Sequence, residues 1–196
     1  MAEPAAVGLA VSTGRAVVVV LRGTQASPEM VVRYELALSD PWVRESSHPY
    51  HLELGIAGDA GARARERGCT AAENAARRAT HGLVADMQAH QLAPHRAAIV
   101  VRSLADPRRV SGAHTRAHAE ERTLYRRAVE AAFAEHGLDV LQLEEARVRA
   151  AAAKGLSQSA KGLDEMLKRF VRVVGTPWRA PEKHASLAAW LALPKP

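Results

Sequence analysis

The chain is predicted to be an α/β domain whose mixed five-stranded sheet, three antiparallel strands followed by parallel ones, is flanked by helices. Three observations carry this. Ala5–Leu21 reads AAVGLAVSTGRAVVVVL, two Val-rich apolar runs about a Ser-Thr-Gly turn, the pattern of a hairpin whose strands are buried on both faces. Further along, helix-forming stretches alternate with short apolar runs, as crossovers between parallel strands require. Apolar residues make up 47% of the chain but aromatics only 4%, and much of the apolar share is Ala, which favours helices packed closely on a sheet over an all-β sandwich. At 196 residues the chain has the size of one domain able to bury its own core, so 1–196 is read as a single unit.

The hairpin belongs at the sheet centre, because neither face of its strands is polar. After the turn residues Arg22 to Pro28, Glu29–Leu38 sets Val32, Tyr34, Leu36 and Leu38 against Val31, Arg33, Glu35 and Ala37, the period of an edge strand wet on one side. Residues 40–58, with Pro41, Pro49, Gly55, Gly58, Trp42 and Tyr50, form an irregular excursion that packs back in part. Ala62–Leu92 reads as a helix with Ala72, Ala75, Ala76, Ala79, Leu83, Val84 and Met87 as its apolar stripe. Gly68 marks where that helix could truly start, and Pro94 its end. Ala97–Arg102 is a short buried strand parallel to the first. The loop Ser103–Gly112 follows at a strand end, where ligands of open α/β sheets collect. His114–His136 is the second long helix, closed by Gly137. Its band of Leu124, Tyr125, Ala128, Val129, Ala131, Ala132 and Phe133 is broader than one sheet contact needs. Leu138–Leu143 is the fifth strand. A helix at Glu144–Ala153, a loop Lys154-Gly155-Leu156, a helix at Ser157–Val174 with Ser157 as N-cap, and a helix at Glu182–Leu193 with Pro181 at its first turn complete the chain.

Lys and Arg total 27 against 21 Asp and Glu, giving +6, and most of the positive charge is Arg. Such a surface suits polyanions, since guanidinium groups pair with phosphates through a bidentate fork; GC-rich codon usage inflates Ala and Arg together and is the alternative source. The one Cys, Cys69, excludes an internal disulfide and fits a reducing compartment. No apolar run approaches the roughly 20 residues of a membrane span, and the N-terminus lacks a basic start. A protein without membrane segments, located in the cytoplasm, is expected.

The order of elements, three antiparallel strands, helix, strand, helix, strand, helices, resembles the ribonuclease-H-like fold. After Gly137 the pattern narrows. Gly137-Leu138-Asp139-Val140, Ala146-Arg147-Val148-Arg149, the Gly-containing loop with Ala160-Lys161, the amphipathic Met166-Leu167-Lys168-Arg169-Phe170 and the closing Pro-x-x-x-Ala-x-Leu-Ala helix resemble the RuvC Holliday-junction resolvases. That resemblance implies a two-Mg²⁺ site on carboxylates of the first strand, the fourth strand and the last helix. Carried onto this chain, those positions fall at Ala10, at Val100 or Val101, and near Glu182 and Ala185, so one acid remains. A shift of one residue does not help, because Ala5–Val11 and Ala97–Val101 hold no acid. The resemblance also implies backbone contacts to nucleic acid from the basic residues of this half, Arg147, Arg149, Lys154, Lys161, Lys168, Arg169 and Arg172, to which the loop pair Arg108 and Arg109 is added. Contacts of that kind need charge and reach without reading bases.

Four further groups carry rival chemistry. Ser12-Thr13-Gly14 looks like the first phosphate loop of actin-like ATPases, but no Asp precedes it and a hairpin turn accounts for it. His48-Pro49-Tyr50-His51 with Glu53, and His114 with His118 and Glu121, have metal-ligand spacings; among nine His, chance pairs account for them as well. Cys69 near a helix start has no partner His or Asn and reads as a small packed residue. Ser12 and Ser186 lack a nucleophile elbow.

The expectation is therefore a catalytically degenerate RuvC-like protein, a pseudo-nuclease that binds nucleic acid or serves assembly without cofactors. A protein scaffold on the same fold is the alternative, with an ATP-binding relative behind it. The broad helical band and the dimers of the resembled family suggest a homodimer.

Overall fold

In the computed structural model, which describes residues 2–196, the hairpin forms from β1 (Glu3–Ser12) and β2 (Arg15–Gly23). Gly14 takes φ +73° in its turn, a conformation that a side chain would strain. β3 (Pro28–Ala37) pairs with β2, while β4 (Leu92–Val101) lies parallel to β1 and β5 (Val140–Glu144) parallel to β4, in the order β3-β2-β1-β4-β5. The sheet is mixed and five-stranded, with β1 at its centre as the apolar hairpin requires.

Each face of the sheet carries its own core. Val7, Leu9 and Val11 of β1 face α2 (Asp59–Ala89) and α3 (Ala113–Ala134), with Val18, Val20, Ile99 and Val101 beside them. Ala6 and Ala10 face the opposite way, toward α4 (Glu145–Gly155), α5 (Ala160–Val174) and α6 (Ala180–Ala192). The period of two along β1 thus divides a strand that looks uniformly apolar between two layers.

Residues 40–58 contain a 3₁₀ turn at Arg44–Ser46 and the short α1 (Pro49–Leu54), which pack on α2 and α3. Tyr125 of α3 holds this segment: its buried hydroxyl donates to the carbonyl of Ser46 and, at 3.0 Å, to that of Ser47. The breadth of the α3 band has its reason here. Leu124, Tyr125 and Phe133 are buried by the chain's own α1, α2 and sheet, so the band does not call for a second copy.

Several element boundaries differ from the sequence reading. Gly68 lies inside α2, not at its start, because the backbone of Glu45 presses on the helix there; a Cβ would sit 2.5 Å from the Glu45 oxygen. Pro94 does not end the helix, which stops at Ala89; it lies within β4. At that level β4 pairs only with β1, next to a register shift, and its pairing with β5 starts only at Ala97, opposite Val140, so the missing N–H is tolerated. Lys154 and Gly155 complete α4 and are not a loop. Ser157 takes φ +52° outside the next helix, and Ser159 is its N-cap, the hydroxyl accepting from Gly162 N at 3.1 Å. In β3 a shift after the Val20–Val32 pair puts Met30 opposite Leu21 and onto the α5 side, so the alternation read for this strand breaks at Val31.

Candidate functional site

The resemblance places its metal-ligand positions at the end of the sheet where β1 and β4 finish, at Ala10, Val100 and Ala185 of this chain. Ala10 and Val100 are paired neighbours across β1 and β4, 9% and 1% exposed. α6 lies directly on them. Its approach is set by Gly8, where a Cβ would come within 2.0 Å of the Ala185 carbonyl oxygen and 2.6 Å of Ala189 N. Only small residues allow a helix and a strand this close, and Ala185, Ala188 and Ala189 supply the other side. Ala10, Val100 and Ala185 belong to one continuous apolar cluster that Val148, Ala152 and Leu163 extend.

Glu182, the one acid of this group, is 5% exposed and already engaged. Its Oε2 accepts from the backbone N of Arg179 at 2.8 Å, which caps the start of α6. The far end of α6 is fixed by the β2–β3 loop, where Trp190 Nε1 donates to Gln25 O at 2.8 Å and Gln25 Nε2 to Leu191 O at 2.9 Å. Two hard cations need several oxygen ligands. Ala5–Val11 and β4 offer no carboxylate, and the single carboxylate of α6 serves its cap, so these residues do not fit such ions.

The nine basic residues named from the sequence are all exposed, but they do not form one free set. Arg108 and Arg109 occupy a 3₁₀ turn (Pro107–Arg109) against α3, while the other seven lie on α4 and α5 across the sheet. Glu144 joins the two regions at the strand ends: Oε1 accepts from Leu104 N at 2.9 Å, and Oε2 pairs with Arg147 at 3.4 Å. Arg108 forks onto Asp106 at 2.8 Å, which holds that carboxyl below the usual range. Arg149 pairs with Asp164 at 2.7 Å and Lys161 with Glu165 at 3.9 Å. No carboxylate lies within 4.0 Å of Arg109, Lys154, Lys168 or Arg169 among the described residues. Arg127, absent from the basic residues the sequence points to, is an exposed cation that lines the same depression as Arg108 and Glu120. Its helical position gave no sign that α3 turns it toward the loop after β4.

The other motifs resolve by geometry. In the Ser-Thr-Gly turn, Ser12 Oγ donates to Arg15 O at 3.2 Å, and Gly14 O accepts from Leu38 N at 2.9 Å, as a hairpin turn requires. Ser186 is buried and donates to Glu182 O at 2.8 Å within its helix. Cys69 is half-buried beside Tyr50, and burial pushes its thiol above the ordinary value. The histidines behave differently: His51 of α1 meets His114 and His118 of α3, bringing together residues from two sequence pairs that were read separately. More than 60 positions of chain separate them, which no local pattern reveals.

No family model matches the chain, and no curated protein matches it by sequence. Solved structures do match. RuvC of Thermus thermophilus in complex with a Holliday junction substrate aligns with a TM-score of 0.57 at 10% identity, over 96% of this chain and 92% of that one. A further RuvC structure from Thermus thermophilus gives 0.54 at 11% identity, over 95% and 92%. The yeast mitochondrial Holliday junction resolvase Ydc2 gives 0.47 at 10% identity, over 95% and 77%. The sheet order, the central hairpin and the two Thermus thermophilus matches together show that the chain has a ribonuclease-H-like fold of the RuvC type.

Proposed function

We propose that the chain is a nucleic-acid-binding or assembly module on a RuvC-type fold that has lost the carboxylates for cutting. The observation that carries this reading is the apolar closure at Ala10, Val100 and Ala185, where the resemblance calls for metal ligands. A buried cluster of carboxylates without its ions is costly, because like charges repel and each loses hydration. A chain that no longer uses the ions gains stability by replacing acids with Ala and Val. Binding would then rest on exposed Lys154, Lys168 and Arg169, with Arg109 near the loop after β4, and the RuvC neighbour bound to a Holliday junction supports a branched DNA as the first ligand to test.

The test is fluorescence anisotropy with a labelled four-way junction, a duplex and a single strand over a range of salt. Affinity is expected to fall steeply, with a log–log slope of about 0.9 per neutralised phosphate on duplex. Charge reversal by Lys154→Glu, Lys168→Glu and Arg169→Glu together should lower both the affinity and that slope. The scaffold reading also has an observation in its favour, the internal pairing of Arg108, Arg147, Arg149 and Lys161. Absence of binding at about 50 mM salt, where even non-specific association is favoured, selects the scaffold.

A further inference from the structure

His51, His114 and His118 each offer a ring nitrogen, and these three atoms lie within 4.8 Å of one another. The ring centroids are 4.0 Å apart for His51 and His118 and 4.7 Å for the other two pairs. His114 and His118 stand one turn apart on α3, and His51 reaches them from α1. Beneath them is Glu121, with no exposure at all. Its Oε1 takes the His51 backbone N–H at 3.2 Å and lies 2.9 Å from His51 Nδ1.

That contact decides the tautomer. A carboxylate accepts and does not donate, so Nδ1 of His51 carries a proton toward Glu121, and in the neutral ring Nε2 keeps its lone pair for a metal. Nε2 is buried and has no partner, and neither has Oε2 of Glu121, which lies 4.0 Å from His118 Nδ1. A buried acceptor and a buried carboxylate oxygen left unmatched in one spot are costly unless a cation completes them.

We propose that His51, His114 and His118 bind a divalent transition metal, Zn²⁺ foremost, with Glu121 orienting His51 from behind. Imidazole nitrogens suit Zn²⁺ over Mg²⁺, and a carboxylate on the far nitrogen of a ligating His is the usual support of such a site. Tetrahedral Zn–N bonds of about 2.0–2.1 Å place ligand nitrogens about 3.3 Å apart, a closure that small side-chain rotations achieve from the spacing seen here. Three protein ligands leave a fourth position. His114 is exposed, so that position opens to solvent and holds water or a small anion. The ion also ties α1 to α3, and it stands apart from the closed apolar end of β1 and β4, being on the opposite face of the sheet.

The test uses the full chain, free of any tag and stripped with a chelator, titrated with ZnCl₂ against a chromophoric competitor and with CoCl₂ by visible absorption. One ion per chain is expected, with the intense bands of low-coordinate cobalt and a higher melting temperature. His114→Ala, at an exposed position that the fold does not need, should abolish stoichiometric binding. Glu121→Gln should weaken it by about 10–100-fold, the usual effect of removing such a support. His51→Gln should abolish it too, with far-ultraviolet circular dichroism of the metal-free variants showing that the helices persist. Failure to bind one equivalent overturns the proposal. So does binding that His114→Ala removes but His51→Gln and Glu121→Gln leave unchanged, since that is a surface histidine pair only.

Discussion

Gly8 is the residue on which the closure at the strand ends depends. A methyl group there would meet the Ala185 carbonyl at 2.0 Å, inside any tolerated contact, so α6 must move off the sheet. Gly8→Ala is expected to destabilise the protein by about 3 kcal/mol or more, the upper range for overpacking in a core, and a thermal melt checks it. Val100 tests the same closure from the other strand. Val100→Glu buries a carboxylate at a position only 1% exposed, and should cost a few kcal/mol whether or not Mn²⁺ is present. Rescue of the melting temperature by Mn²⁺ would show that a site has persisted. Tyr125 tests the excursion: burial raises its phenol well above the ordinary range, so it remains a hydrogen-bond donor to the Ser46 and Ser47 carbonyls at all ordinary pH. Tyr125→Phe should cost about 1–2 kcal/mol and make residues 40–58 more sensitive to limited proteolysis.

The elements were legible in the sequence where one periodicity governed them. The hairpin, the edge strand, the long α2 and α3 and the closing α6 all follow from Val-rich runs or helical stripes. Boundaries failed where a distant segment overrode local preference. Gly68 looks like a helix breaker until the Glu45 backbone is set against it, and Pro94 looks like a stop until β4 is seen to be unpaired on one side at that level. The α3 band was legible as burying more than one face, whereas its cover by α1 and α2 depends on segments distant in the chain. On α5 the division is plain: Leu163, Leu167 and Phe170 are buried, while Lys161, Lys168, Arg169 and Arg172 face outward. The positive residues of this helix were therefore readable as surface from sequence. Which of them are neutralised by a neighbour was not, because Arg149–Asp164 crosses from α4 to α5 and depends on how those helices meet.

At the scale of the whole molecule, the sheet separates two chemistries. One face carries the apolar junction of β1, β4 and α6 beneath the basic surfaces of α4 and α5; the other carries α2, α3 and the histidine cluster. The absence of acids from Ala5–Val11 and Ala97–Val101 was readable in the sequence, whereas the packing of α6 onto these stretches needed the three-dimensional arrangement. Incubation of an end-labelled four-way junction with tag-free protein in Mg²⁺ or Mn²⁺, resolved on a denaturing gel, decides whether the chain binds a junction without cutting it. The junction strands should remain intact at protein concentrations that saturate the anisotropy signal. Specific cleavage that Glu182→Gln abolishes would overturn the non-cutting reading, because it would show that the carboxylate of α6 still serves a metal.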